Sequence, residues 1–500
     1  MDFIITLISK ICYFLWGDWI HIPLPGSGTL DLPLLVLILV PAGVYFTIRT
    51  GFLQIRMFPD MLRAVLEHAG VSKYAEAAED AEADDKGADV PAGNTPDTAE
   101  TGKKKKRNGI SALQALVVST ATRVGMGNLV GVVAAVSAGG AGAVFWMWVT
   151  ALIGSATAFI EATLAQLHKE KDPLYGGYRG GPAYYIHDWI NSKRKGAPKK
   201  SILAILFALS GLICWCGISQ VVSNSVTSSF ENAFNIPPIY TVSVLVILSA
   251  IIVLRKNATV KVLDVLVPIM AGIYILLTLY MIFSNIGQLG TAFKNIFTEA
   301  FGLRQAAAGT FGAVLMNGVK RGLFSNEAGS GSAPCAAAAA EASHPAKVGL
   351  MQAFGVFIDT LLCTCTALIM LVVPESVIAG QEGMGLLQAA MAWHMGEAGV
   401  IFIAAVLWLF SFTTFLGILF YARSNVAYLF RDNWVSQTAY KVVALVMLFI
   451  GGLATYTFVW DLGDVGIGLM TIFNMIALIP LSKQALDSLK DFESKKRLRK

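Results

Sequence analysis

Long apolar runs separated by short, cation-bearing loops dominate the chain. Crossing a hydrocarbon layer of about 30 Å takes roughly 20 apolar residues per helix, with every backbone polar group paired inside the span. Nine runs fit this pattern: residues 32–48, 145–167, 202–230, 241–254, 263–283, 347–373, 400–422, 441–459 and 465–481. Two more, 111–138 and 307–335, are apolar but interrupted by glycine. The expected fold is therefore an all-α integral membrane protein of eleven transmembrane helices. Residues 1–31 carry Asp2, Lys10 and Asp18 among apolar positions and read as an extracytoplasmic or interfacial segment. They lack the basic start and the cleavage site of a signal peptide.

The interrupted runs carry the most information. In the first, Gly125, Gly127 and Gly131 surround Asn128 at bilayer depth; in the second, Gly322, Gly329 and Gly331 bracket Asn326 and Glu327. Irregular backbone at that depth is tolerated only where protein buries it or where it lines a wet cavity. The bland reading, close helix packing by small residues, suits Gly131, Ala135, Gly154 and Ala158. It does not account for a polar Asn matched by a second break five spans later. The breaks fall in spans two and seven, so each opens a group of five, residues 111–283 and 300–481. An odd-numbered repeat sits inverted in the membrane, and a five-plus-five inverted repeat with two discontinuous helices points to a secondary transporter. Half-helix ends then supply the chemistry: bare N–H groups for a carboxylate, carbonyls and hydroxyls for sodium.

Charge fixes the expected sidedness. Of the 38 Lys and Arg residues, 32 fall in loops on one side, including the loop 49–110 and the tail 482–500. By the positive-inside rule that side is the cytoplasm, with the N-terminus outside and the C-terminus inside a plasma membrane, most simply a bacterial inner membrane. Residue 32–48 is then a peripheral first helix. Residues 74–100 form an acidic, Ala-rich insert that cannot offset the entropy of ordering and is expected to be disordered; Lys103–Arg107 is a basic flank. Hydrophobic residues make up 55% of the chain and charged ones only 14%, against about 25% in soluble domains. The net charge of +5 is not gathered on a folded basic surface, which excludes a nucleic-acid partner. The bilayer is the partner instead, and the oligomeric state stays open, a monomer being compatible with the pattern. Six cysteines in or beside apolar segments read as packing residues, with no metal or redox spacing.

Six ionisable groups within the predicted spans stand out: Arg123, Lys320 and Arg321 against Glu161, Glu327 and Asp359. Burying an unpaired charge costs at least about 2.5 kcal/mol, so these are expected to pair, either to fix helices or to gate the cavity, with Glu327 the best candidate for a direct role. The six histidines lie in or beside loops, and no nucleophile has a base beside it, which argues against an enzyme. A channel is the harder alternative, since broken helices also build filters, and proton coupling through Glu161, Glu327 or Asp359 is another.

Several long motifs in order carry a resemblance. GMGNLVGV spans Gly125–Val132 with GGAGAVFWMWV following, GGPAYYI spans Gly180–Ile186, RGLFSNEAGSGSAP spans Arg321–Pro334, His344 precedes Pro345, and FIDTLLCTCT spans Phe357–Thr366. The chain resembles the alanine or glycine:cation symporters over nearly its whole length. That resemblance implies a leucine-transporter-like fold importing a small neutral amino acid with sodium as coupling ion and no organic cofactor. By the same resemblance, the amides around Gly125, Met126 and Gly127 meet the substrate carboxylate and Gln220 reaches the substrate. Phe324, Ser325 and Asn326 form the opposite wall. Asn128 is implied for a sodium near the substrate, and the carbonyls of Ala121 and Val124 with the hydroxyls of Thr413 and Thr414 for a second sodium. Two positions depart from the family pattern. Met126 stands where a threonine is usual, and Ile418 where a tryptophan follows the glycine of the ninth span. Exchanging indole for a branched aliphatic frees volume and Met126 takes some back, so the pocket is expected to be reshaped toward a substrate other than alanine or glycine, such as a larger neutral amino acid.

Overall fold

The computed structural model describes residues 2–24, 28–68, 110–194, 199–255, 258–301, 311–381, 383–454 and 456–498; the acidic insert 74–100 and the run Lys103–Arg107 lie outside the described residues. The N-terminal part is a helix α1 (Asp2–Trp16) followed by an antiparallel hairpin of β1 (Asp18–Leu24) and β2 (Gly28–Pro33). The hairpin is the one sizeable β element among the described residues and was not expected from the sequence. Then come α2 (Leu34–Arg49), α3 (Leu53–Arg56) and α4 (Phe58–His68).

The first broken helix follows a two-residue strand β3 (Ile110–Ser111). It consists of α5 (Ala112–Arg123), a π-helical turn at Gly127–Gly131, and α6 (Val132–Gly139), bent by 43°. Ser111 starts α5 with a reciprocal capping box: its Oγ accepts from the Gln114 amide at 3.1 Å, and Gln114 Oε1 accepts from the Ser111 amide at 2.9 Å. Next are α7 (Gly142–Leu167), the short strands β4 (Glu170–Lys171) and β5 (Tyr178–Arg179), and α8 (Pro182–Ser192). The apolar runs 202–283 become α9 (Ile202–Phe234), α10 (Pro238–Val253) and α11 (Ala258–Ser284), with an amphipathic α12 (Ile286–Ala300) after them.

The second broken helix is α13 (Phe311–Asn326) and α14 (Ala333–Ala339), separated by six residues, and ends in β6 (Ala340–Glu341). Strand β6 pairs in parallel with β3, Ile110 against Ala340 and Ser111 against Glu341, so one end of each broken segment is tied to the other. The chain closes with α15 (Pro345–Leu371), α16 (Glu375–Ile378), α17 (Met384–Met395), α18 (Glu397–Phe430), α19 (Trp434–Gly451) and α20 (Tyr456–Leu498).

Among the described residues, α7, α9, α11, α15, α18, α19 and α20 are long and apolar enough to cross a membrane alone, and bent α5–α6 makes an eighth. The other expected positions carry α2 and α10, of 16 residues each, and the interrupted pair α13–α14. The expected spans 441–459 and 465–481 shift, because the apolar run continues across the turn at Gly452 and hides it. Helix α20 holds 43 residues, about 65 Å at 1.5 Å per residue, so the basic tail continues the last helix well past a bilayer. In α7, α9, α15, α18 and α20 the apolar window is 61–72% buried, against 28% in α11 and α19. The first group forms the core around the breaks and the second the lipid-facing wall. Within the core, α9 runs along α18 and α20, and α7 along α13 and α15.

Candidate functional site

The first break begins where α5 loses its helical ψ at Val124 (φ −82°, ψ 64°). The Gly125 amide then turns to Asn128 Oδ1 at 3.0 Å, and the Met126 amide to Thr414 Oγ1 at 3.2 Å. The Thr414 hydroxyl donates in turn to the Ala121 carbonyl at 3.4 Å. One side chain of α18 thus engages both ends of the unwound stretch. Its neighbour Thr413 does not: that hydroxyl donates to the Phe410 carbonyl at 3.0 Å and lies 3.5 Å from Met270 Sδ of α11. Consecutive helical residues are about 100° apart, so only one of two adjacent threonines faces a given neighbour. Of the two hydroxyls expected at the Ala121 and Val124 carbonyls, Thr414 reaches that of Ala121 and Thr413 turns to its own helix.

The second break opens with Glu327 in the left-handed region (φ 57°), a conformation rarely stable for a side chain with a Cβ, followed by Gly329 (φ 93°) and Gly331 (φ 84°). Asn326 Oδ1 accepts the Ala328 amide at 2.9 Å, and the Ser330 hydroxyl donates to the Glu327 carbonyl at 2.8 Å. The two breaks touch. A Cβ on Gly127 would lie 3.1 Å from Ser325 Cα, so the close approach of the two backbones depends on glycine there.

At that contact Asn128, Ser325 and Asp359 form a fully buried polar group. Asn128 Nδ2 donates to Asp359 Oδ1 at 2.8 Å and to the Asp359 carbonyl at 3.1 Å, and Ser325 Oγ donates to Asp359 Oδ1 at 2.6 Å. Cys363 Sγ stands 3.2 Å from both Asn128 Nδ2 and Ser325 Oγ. The sequence offered no sign of Cys363, which reads as a packing residue on its helix. A crevice between α7, α13 and α15 reaches this group, with Asn326, Asp359 and Cys363 in its lining.

The buried charges pair differently from the expected balance. Lys320 Nζ lies 2.7 Å from Asp464 Oδ2 and Arg321 Nη1 3.3 Å from Asp464 Oδ1, so both cations are held by an acid of α20 and not by Glu161, Glu327 or Asp359. The Arg321 guanidinium also covers Trp460, which packs on Phe324. Arg123 donates to the Asn326 carbonyl at 2.9 Å and to Gln352 through its carbonyl (3.0 Å) and Oε1 (3.1 Å). Glu327 Oε2 accepts from Thr122 and Tyr421, both at 3.2 Å. Glu161 Oε1 accepts from Asn474 Nδ2 at 2.6 Å, and the same amide reaches the Gly329 carbonyl at 3.0 Å. The side-chain donors to these two carboxylates are neutral, and Glu161 Oε2 is buried without a hydrogen-bond partner among the described residues. Tertiary proximity sets the partners, and a charge balance along the sequence is blind to it.

Gln220 lies on α9, where its Nε2 contacts Met447 Sδ at 3.2 Å and its Oε1 is buried without a hydrogen-bond partner among the described residues. No described hydrogen bond joins it to the first break. Met126 and Ile418 are both buried.

The sequence pattern of the sodium:alanine symporter family matches residues 25–81 and 93–500. The chain belongs to that family. It is similar to the probable sodium/glutamine symporter GlnT of Bacillus subtilis (39% identity, covering 95% of this chain and 91% of GlnT). It is also similar to the sodium/alanine symporter AgcS of Methanococcus maripaludis (32% identity, covering 98% of each). The crystal structure of MhsT in complex with L-phenylalanine shares the fold, with a TM-score of 0.52 at 13% identity over 73% of this chain and 88% of that one. Membership in the sodium:alanine symporter family makes this a multi-pass membrane protein for sodium-coupled amino-acid transport, and not an enzyme.

Proposed function

We propose that this symporter imports a neutral amino acid larger than alanine, glutamine first among them, with sodium by alternating access. The observation that carries the reading is the contact of the two breaks, where backbone dipoles and the Asn128, Ser325 and Asp359 side chains converge in the interior. The substrate carboxylate meets the amides of Gly125, Met126 and Gly127, which the break takes out of the helical ladder, replacing Asn128 Oδ1 on Gly125 and Thr414 Oγ1 on Met126. One sodium takes Asn128, Ser325 and Asp359 as oxygen donors. A second takes the Ala121 and Val124 carbonyls with Thr414 Oγ1, the hard-oxygen chemistry that suits this cation. Phe324 and Asn326 close the opposite wall, and Gln220, with a buried acceptor oxygen lacking a donor, reaches the substrate when the cavity opens.

The eleven helical positions and the one-sided distribution of cations support eleven crossings, inverted repeats at 111–283 and 300–481, and a cytoplasmic C-terminus. Ion pairs stand on both sides of the site. Lys320 and Arg321 with Asp464 form one set, and Arg423 with Asp172 (2.8 Å) and Arg179 with Asp432 (2.6 Å) the other. In alternating access one set opens while the other stays closed.

Ile418 in place of an indole and the likeness to a probable sodium/glutamine symporter together favour the larger substrate. Competition of labelled-glutamine uptake by a panel of unlabelled amino acids tests it. Glutamine and similar-sized neutral side chains are expected to compete at least about tenfold better than glycine, the scale of 1.4 kcal/mol. A profile led by alanine and glycine overturns the size assignment while leaving sodium symport in place.

A further inference from the structure

A cleft lies where the end of α10, the first turn of α11, α18 and the start of α19 meet. Arg255, Arg423 and Lys441 line it, and no carboxylate does. Arg423 is already balanced, its Nη2 2.8 Å from Asp172 Oδ2 and its guanidinium 4.2 Å from the Tyr175 ring. Lys441 Nζ stands 5.9 Å from the centre of the same ring, so two cations lie near one aromatic side chain. Among the described residues neither Lys441 nor Arg255 has an acid partner within ion-pair distance. Val253, Val260, Leu419 and Phe420 give the cleft an apolar strip, and Thr259, Gln437 and Tyr440 complete the wall.

The location matters as much as the charge. Helix α10 ends at Val253, α11 begins at Ala258 and α19 begins at Trp434, so the cleft lies at helix ends, where hydrocarbon gives way to water. Helices α11 and α19 are also the most lipid-exposed of the long apolar helices. An apolar strip beside two cations without an acid partner, at the level of the helix ends, suits an acyl chain joined to a phosphodiester. Cationic side chains near a membrane surface favour anionic headgroups by about fivefold each.

We propose that this cleft binds the phosphate of an anionic phospholipid of the phosphatidylglycerol type, with Arg255 and Lys441 holding the phosphate and the Val253, Val260 and Phe420 wall taking the first part of the chain. The site requires that α10, α11, α18 and α19 reach the bilayer surface. It does not depend on which amino acid is carried or on the sodium assignments.

Native mass spectrometry of the full-length protein in detergent, titrated with phosphatidylglycerol or phosphatidylcholine, reads the site directly. Phosphatidylglycerol is expected to bind at least about tenfold tighter, since two cations at about fivefold each act on it. The double variant Arg255→Gln/Lys441→Gln is expected to lose that preference, and Arg255→Lys/Lys441→Arg to keep it. Lys294→Gln, on α12, is the control for removing a charge elsewhere. Equal binding of the two lipids to the wild type, or a preference unchanged in the double Gln variant, overturns the proposal. Displacement of the lipid by inorganic phosphate at matched concentration also overturns it, in favour of a free-anion site. Sodium-driven uptake by the same preparations reports on transport separately, so failure of either reading leaves the other standing.

Discussion

At the scale of single residues, the decisive feature is which hydroxyl meets the unwound backbone. Thr414 Oγ1 joins the Met126 amide to the Ala121 carbonyl, while Thr413 is spent on its own helix and on Met270. Thr414→Val is therefore expected to raise the sodium concentration for half-maximal uptake by about five- to tenfold, the worth of one hydrogen-bonding oxygen of 1–1.5 kcal/mol. Thr413→Val is expected to change it by less than about twofold. Sodium titrations of uptake by the two variants check the contrast, and equal effects would remove the assignment. This distinction was not legible in the sequence, where two adjacent threonines are equivalent until a helix phase is known. Asn128 was legible, because an amide at bilayer depth between glycines has few structural uses. Asp464 was missed, since six other charges already summed to zero and nothing in a linear pattern placed the start of α20 beside α13.

Among the elements, the broken helices follow from their glycines, but the way the C-terminal tail is fastened does not. The tail expected as a basic appendage is helix, and it is pinned along its side. His168, which follows α7, contacts Asp188 of α8 through Nδ1 and Gln484 of α20 through Nε2, at 2.8 and 2.7 Å. Further along, His344 holds Asp491 at 2.9 Å and Arg56 holds Glu493 at 2.7 Å. Burial works against a charged His168, but its hydrogen bonds to Asp188 and Gln484 and the Asp188 charge outweigh it and raise its pKa above the usual 6.5. A pKa raised on folding means the contribution is complete below the unfolded value and fades as pH climbs through the folded one. Hydrogen exchange at residues 482–490, corrected for the intrinsic base-catalysed rate, is thus expected to quicken several-fold as pH rises through that range. The step is expected to vanish in His168→Gln, and a step that survives the substitution would show that another group controls the tail.

For the molecule as a whole, apolar spacing along the chain carried the long helices and the first break, because a bilayer imposes a length that soluble folds lack. What it could not carry was end geometry: the N-terminal hairpin, the turn at Gly452 inside an apolar run, and the partners of the buried charges all depend on tertiary contacts. The central claim is that two touching unwound segments grip an amino acid together with sodium. Counterflow in proteoliposomes of the purified protein tests it most directly, with labelled glutamine outside and unlabelled glutamine inside. The account predicts saturable accumulation of label that disappears when potassium replaces sodium on both sides. Accumulation that persists without sodium, or flux that rises without saturation, would contradict it.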